Sequence, residues 1–177
     1  MKKILTAVLV AALLLTLATG ALAATGLGSL TSVKLTPATA DAAGSVSVNT
    51  TMCAVTLDDE GKIVSVTFDV VQPKAAFDAT GAASGELNAA PQTKKELKEG
   101  YGMKRVSSIG KEWFEQAAAL EDWCVGKTVA EVLAMKTFDR GDGSHTNVPE
   151  EADLVSSVTI TVGDYLKALE LAAANAK

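Results

Sequence analysis

Histidine, cysteine and aromatic residues are scarce in this chain of 177 residues, and their scarcity excludes several kinds of site. One histidine and two isolated cysteines cannot supply the four close nitrogen or sulfur ligands of a zinc site. The histidine, His145, lies in a polar loop and has no nucleophile in a recognisable catalytic arrangement. We therefore predict neither a zinc centre nor a hydrolase that works through a catalytic triad.

Long apolar runs are also missing, except at the very start of the chain. Met1-Lys2-Lys3, the apolar run from Ile4 to Ala18 and the triplet Ala21-Leu22-Ala23 are the three parts of a secretory signal peptide. The run is shorter than the ~20 apolar residues that span a bilayer. We therefore predict a signal peptide over residues 1–23 that is cleaved after Ala23. The expected product is a secreted protein with no stable membrane insertion and, without a cysteine at the cleavage site, no lipid anchor.

Positive charge is in short supply in the expected mature chain. Loss of Lys2 and Lys3 leaves 14 of the 16 basic residues against all 21 acidic ones, a net charge of about −7. An acidic protein repels phosphate backbones and anionic lipids. We therefore expect no binding to nucleic acid or to a membrane surface.

Cys53 and Cys124 leave two alternatives open. An even number of cysteines in an oxidising compartment permits one disulfide. Both residues also have apolar neighbours, which favours two separate buried thiols.

A β-hairpin is the first regular structure that the sequence predicts. Residues 24–45 are rich in Gly, Ser, Thr and Ala and are interpreted as a flexible lead or an irregular first edge of the domain, with regular structure beginning near Ser45. Alternating apolar residues over 46–57 and 62–70 flank the acidic turn Asp58–Gly61, which is typical of a hairpin.

Helical patterns dominate the rest of the chain. They predict a short helix over 93–99, a long amphipathic helix from Ser107 or Ser108 to Gly126, and a short helix capped by Thr128. Residues 154–160 are interpreted as a strand or as an extended entry to the last helix. A last helix is expected over 162–176, with Thr161 and Asp164 as its capping box. The sequence therefore predicts one α+β domain over 46–177, an antiparallel hairpin or sheet packed against a long central helix and a C-terminal helix.

Residues 155–161, followed by Tyr165-Leu166 and an Ala-rich helix, resemble the C-terminal motif of FMN-binding domains. That motif is Ser-Gly-Ala-Thr followed by another Thr or Ser. The turn Asp59–Ile63 is similar to the opening hairpin of the same family. These domains are small extracytoplasmic flavin modules associated with electron transport. The resemblance implies FMN as cofactor, an extracytoplasmic redox partner, and an electron carrier more than a turnover enzyme.

Carried over residue by residue, the resemblance places the FMN phosphate at Thr159, either as an ester or as a lining contact. Hydroxyls at a helix start form a plausible anion site, and a planar ligand can stack on an aromatic ring. The resemblance thus implies six cofactor-binding residues: Thr159, Ser156, Ser157, Thr161, Trp113 and Tyr101.

Two departures from the motif support an alternative. Ser157 and Val158 stand where the family has Gly and Ala, and a side chain there can obstruct the ligand. The alternative is a flavin-free extracellular binding or structural domain of the same fold. The chain is also similar to secreted proteins of anaerobic Gram-positive bacteria that have no assigned activity. Those proteins share the stretches 94–103, 110–113 and 126–129.

Overall fold

The computed structural model describes residues 23–84 and 90–177. All but the last residue of the expected signal peptide therefore lies outside the described residues. Seven strands and four α-helices are described: β1 Ala24–Thr36, β2 Gly44–Leu57, β3 Ile63–Val71, β4 Lys74–Phe77, β5 Ala83–Ser84, α1 Lys94–Leu97, α2 Trp113–Cys124, α3 Val129–Leu133, β6 Thr137–Phe138, β7 Val148–Pro149 and α4 Gly163–Ala174. This is the α+β class that the sequence predicts.

A curled antiparallel sheet of five strands forms the centre of the fold. Strand β2 is its axis and pairs with β1 along one edge. Along its other edge β2 pairs first with β4 and then with β3, so one long strand holds the sheet together. The predicted hairpin is confirmed as β2 and β3. Its turn is fixed by the carboxylate of Asp58, which accepts hydrogen bonds from the backbone N–H groups of Glu60 and Lys62.

The prediction of a flexible lead over 24–45 is wrong for β1. Residues 24–36 pair with residues 57–45 of β2 in an unbroken antiparallel register. The glycines that suggest a flexible segment instead allow close packing of a helix on this strand. A Cβ atom on Gly26 would lie 1.9 Å from the carbonyl oxygen of Ala172, and one on Gly28 would lie 2.3 Å from that of Ala168. These glycines let α4 lie directly on the sheet, an approach that a local pattern does not reveal.

The helices follow the predicted capping boxes with one exception. Thr93 with Glu96 caps α1, and Thr128 with Glu131 caps α3. The long helix α2 begins at Trp113, later than expected, after a capping box formed by Glu112 and Glu115. Residues 98–105 form two short 3-10 helices, Lys98–Tyr101 and Met103–Arg105, instead of continuing α1.

The predicted strand over 154–160 is wrong, because these residues form turns. Leu154, Val158 and Ile160 are buried, but they are anchors of an irregular segment that packs on the core. Helix α4 begins at Gly163 and its N-cap is Val162, with no side-chain cap, so the capping box expected from Thr161 and Asp164 is not formed.

The core lies between the sheet and the helices α2, α3 and α4. Cys53 and Cys124 are both free and fully buried in it. Trp113 and Phe68 are its largest side chains with less than 2% exposure. No helix within residues 23–84 and 90–177 is long and apolar enough to cross a membrane.

Candidate functional site

A cavity of about 380 Å³ opens beside the core. We call it the aromatic cavity because three of its wall residues are aromatic: Tyr101, Trp113 and Tyr165. Its polar and charged wall residues include Asn49, Gln72, Lys94, His145, Thr161 and Asp164. Three of the six cofactor-binding residues predicted from the sequence, Trp113, Tyr101 and Thr161, therefore meet here.

The positive charge of the aromatic cavity comes from Lys94, the first residue of α1. Its ammonium lies 4.7 Å from the ring centroid of Tyr101 and 5.3 Å from that of Trp113. Lys94 is only 9% exposed and forms no salt bridge with any residue in the described part of the chain. Burial lowers its pKa from 10.5 to about 8, against the opposing attraction of Asp69.

The neighbouring residue Lys95 makes a useful contrast. Its ammonium pairs with the carboxylate of Glu121 at 2.6 Å, and its backbone N–H donates to Asp69. A short bridge between Val71 and Thr93 ties the start of α1 to the end of β3. These contacts fix the backbone from which Lys94 extends, while the Lys94 ammonium, within residues 23–84 and 90–177, has only aromatic rings as close partners.

An unpaired acceptor stands on the sheet side of the aromatic cavity. The carboxamide oxygen of Asn49 is buried and has no hydrogen-bond partner among the described residues. Asn49 belongs to the same alternating set of β2 as Thr51, Cys53 and Val55, whose side chains are buried. Buried polar atoms are nearly always hydrogen-bonded. The side-chain oxygen of Asn49 therefore needs a donor that the described residues do not supply.

The aromatic rings are held rigidly. The indole N–H of Trp113 donates to the hydroxyl of Tyr165 at 3.0 Å, and the hydroxyl of Tyr101 donates to Gln72 at 3.3 Å. Burial raises the pKa of Tyr165, so its phenol stays neutral. Trp113 is only 1% exposed, so it belongs mainly to the core.

Thr159 lies in a second, smaller cavity of about 180 Å³, which we call the side cavity. It shares three wall residues with the aromatic cavity: Met103, His145 and Ile160. Ser107, Ser108 and Arg140 are its other polar wall residues. The guanidinium of Arg140 donates to the carbonyl oxygen of Thr159 at 3.1 Å. The two cavities are thus neighbours with a common wall.

The remaining residues of the predicted phosphate site are not brought together at a helix start. The N–H and the hydroxyl of Thr159 both donate to the side-chain oxygen of Gln116, at 2.8 and 3.2 Å. Ser157 donates to the backbone carbonyl of Leu154, and Ser156 is exposed. Helix α4 begins four residues after Thr159, so the hydroxyls do not surround its N-terminus.

A serine, a histidine and an aspartate meet in the loop beside both cavities, but not as a catalytic triad. The Nδ1 atom of His145 lies 2.7 Å from Asp142 and 3.0 Å from the hydroxyl of Ser144. A triad needs the acid and the nucleophile on opposite ring nitrogens. This cluster instead orients the ring of His145 towards the shared wall.

Sequence reasoning missed Lys94 and Asn49. A signal for Asn49 was present, because it alternates with Thr51, Cys53 and Val55 on the face of β2 that is buried. No local sequence pattern distinguishes Lys94 from its neighbour Lys95, which has the same side chain. Only the structure shows that Lys95 forms an ordinary ion pair. Over residues 23–84 and 90–177, no group of three histidine, cysteine or acidic side chains could hold a metal ion.

Comparison with known proteins gives one partial likeness. The chain is 41% identical over 97 residues to a chlorophenol reductase of Desulfitobacterium hafniense. The match covers 48% of this chain and 29% of the reductase, so the chain spans less than a third of the length of that relative. No family model matches the chain, and no solved structure matches it.

Proposed function

We propose that the mature chain is an extracytoplasmic FMN-binding module that takes part in electron transfer. The observation that carries the proposal is the aromatic cavity, whose wall combines three aromatic rings with Lys94 and Asn49. Within the described residues Lys94 forms no salt bridge, and the buried side-chain oxygen of Asn49 has no hydrogen-bond partner. Ligand cavities have volumes of roughly 300–1,000 Å³ and combine apolar walls with a few fixed polar groups. The aromatic cavity, at about 380 Å³, is within that range.

The residues present fit the isoalloxazine ring of FMN. That ring carries an imide N–H, for which the unpaired oxygen of Asn49 is a matching acceptor. The rings of Tyr101, Trp113 and Tyr165 match its aromatic body. Thr51 and Gln72 add hydroxyl and amide groups at the cavity wall.

The side cavity fits the other end of the cofactor. Arg140 carries a cation, and Ser107, Ser108 and Thr159 carry hydroxyls, which are the groups that phosphate oxygens accept from. The hydroxyl of Thr159 already donates to Gln116, and an ester at that oxygen would remove the donor. We therefore propose non-covalent binding, with Thr159 lining the phosphate site.

Bound FMN would supply the electron-transfer chemistry, and the chain would hold and orient it. The rigid Trp113–Tyr165 pair would fix the ring plane, and the cluster of Asp142 with His145 would keep the imidazole at the shared wall. The partial relative is named a reductase, which agrees with a role in redox chemistry. The acidic mature chain favours a protein partner with a basic surface.

Binding of FMN to residues 24–177 tests the proposal directly. Titration of the purified chain with FMN should quench the flavin fluorescence and saturate at one FMN per chain. Asn49→Leu should weaken binding about tenfold, because about 1.4 kcal/mol is lost with one hydrogen bond to the ring.

Thr50→Val is the matched control, since Thr50 is the next residue of β2 and pairs with Thr31 across the strands, away from Asn49. Its affinity should equal that of the wild type. A folded chain that fails to bind added FMN would overturn the proposal. FMN that remains attached after denaturation, and is lost in Thr159→Ala, would replace non-covalent binding with an ester.

A second candidate is a flavin-free binding domain of the same fold. It is favoured by the commitment of Thr159 to Gln116 and by the full burial of Val158, which replaces the motif alanine. In this case the aromatic cavity would take another planar ligand. This candidate would be supported by a colourless protein that does not bind FMN but whose melting temperature rises when a simple aromatic acid is added.

A further inference from the structure

We propose that Lys94 is the counter-ion for a negative charge on the bound ring system, so that the site prefers reduced FMN over oxidised FMN. The inference rests on the proposed function and adds to it which redox state of FMN the site binds more tightly. A binding site that merely held flavin would need no buried cation at its ring end. This site has one, and the cation forms no salt bridge with any described residue.

The geometry leaves the charge of Lys94 directed at the aromatic cavity. Its ammonium lies over the rings of Tyr101 and Trp113, both of which line that cavity. A buried charge is costly unless it is paired or hydrogen-bonded, and Lys94 has neither in the part of the chain that the structure describes. The two aromatic faces offset a part of that cost. An anion within the cavity would offset the rest.

Other titratable groups around Lys94 do not take that role. Asp69, on β3, attracts Lys94 but uses one carboxylate oxygen for the N–H groups of Val70 and Lys95. Asp164, on α4, also lines the cavity but is exposed to solvent. His145 is held by Asp142, and burial raises the pKa of both Tyr101 and Tyr165, so these phenols stay neutral.

Flavin chemistry supplies the matching anion. The oxidised ring is neutral, and uptake of two electrons from a donor and one proton from water would leave a reduced ring with one negative charge. A fixed positive charge near the ring therefore binds the reduced form more tightly and raises the reduction potential of the cofactor. The donor in the test is dithionite, which is oxidised as the ring is reduced.

The experiment measures the reduction potential of FMN bound to residues 24–177 in four proteins: wild type, Lys94→Met, Lys94→Arg and Lys104→Met. Dithionite titration with a reference dye gives the potential, and fluorescence gives the affinity for oxidised FMN. Lys94→Met should lower the preference for reduced FMN at least tenfold, which is ~30 mV for a two-electron couple. Lys94→Arg should restore most of it.

Lys104→Met is the matched control, because it removes the same charge from an exposed position beside Met103. Its potential should equal that of the wild type. A second readout is proton uptake at pH 8, since an anion beside Lys94 raises the pKa of the ammonium above its value of about 8 in the free chain. Reduction should therefore take up more protons in the wild type than in Lys94→Met.

The outcomes separate the two proposals. If all four proteins bind FMN and Lys94→Met has the wild-type potential, Lys94 is not the counter-ion, and FMN binding stands. If the folded wild type does not bind FMN, the proposed function fails and this inference fails with it. A potential lowered equally in Lys94→Met and Lys104→Met would mean that net charge, not the position of Lys94, sets the preference.

Discussion

The side-chain oxygen of Gln116 accepts two hydrogen bonds from Thr159, one from its backbone N–H at 2.8 Å and one from its hydroxyl at 3.2 Å. The amide nitrogen of the same side chain donates to Ser107 and to the carbonyl of Lys111. Gln116 is fully buried. One side chain on α2 therefore connects that helix to the segment before it, at Ser107 and Lys111, and to Thr159, without contact with solvent. The residue that the sequence motif marks as a cofactor contact is therefore also part of the internal framework.

Gln116→Leu should lower the free energy of unfolding by about 2–4 kcal/mol. The change leaves the N–H of Thr159 and other buried polar groups without partners, and each such group costs about 1–3 kcal/mol. Urea denaturation followed by circular dichroism measures the effect. Gln92→Leu at an exposed position is the control and should stay within about 0.5 kcal/mol of the wild type. Equal stabilities for the two variants would show that the Gln116 network does not hold the fold.

Gly28→Ala should destabilise the chain by about 2–3 kcal/mol. The added methyl group would lie 2.3 Å from the carbonyl oxygen of Ala168 and 2.4 Å from the N–H nitrogen of Ala172, both on the backbone of α4. Relief requires a shift of the helix off the sheet, which costs packing energy. Thermal unfolding checks this. Gly100→Ala, where the methyl group meets nothing within 4 Å, should leave the melting temperature nearly unchanged.

Lys94→Met should stabilise the ligand-free chain by about 1–2 kcal/mol at pH 7. Burial lowers the pKa of Lys94 from 10.5 to about 8, so the unfolded chain holds the proton more tightly than the folded chain. Between pH 8 and pH 10.5 the unfolded state binds more protons, and wild-type stability therefore gains relative to the variant as the pH rises. The advantage of Lys94→Met should accordingly shrink between these pH values.

Urea denaturation of both proteins at pH 7 and pH 10 measures this change. A residue that reduces stability while lining a cavity fits the general trade-off between stability and function. Lys95→Met offers the opposite case, because it breaks the 2.6 Å ion pair with Glu121 and should not stabilise the chain. A less stable Lys94→Met protein at pH 7 would contradict the account of Lys94 as a buried, unpaired cation.

Cys53 and Cys124 should react with thiol reagents only when the chain unfolds. Burial is the main cause that raises the pKa of each thiol from 9.0 to about 12, so thiolate is scarce and shielded in the folded state. Because the folded pKa values are raised, their contribution to stability is complete below pH 9 and is lost as the pH rises towards 12. A thiol count on unfolded, unreduced protein should give two, and Cys53→Ala should give one. A count of zero would reveal a disulfide.

The patterns that predicted the fold correctly are local ones. The hairpin of β2 and β3 follows from alternation around an acidic turn, and α1 and α3 follow from capping boxes in which Thr93 and Thr128 pair with acidic residues three positions on. Each of these features is decided within a few residues. The segment 154–160 shows the opposite case, since its Val and Ile content suggests a strand although no strand among the described residues pairs with it.

The sequence by itself determined the α+β class, the hairpin and the capped helices, and it singled out Trp113 and Tyr101, which line the same cavity. Tertiary structure decided that 24–36 form a strand, because Gly26 and Gly28 matter only where α4 crosses them. Tertiary structure also decided which lysine forms an ion pair. Lys94 and Lys95 are identical side chains in one short helix. Glu121, on a different helix, pairs with Lys95, whereas Lys94 lies among aromatic rings. Burial and partnership are properties of the packed chain, and they set the chemistry that a residue can perform.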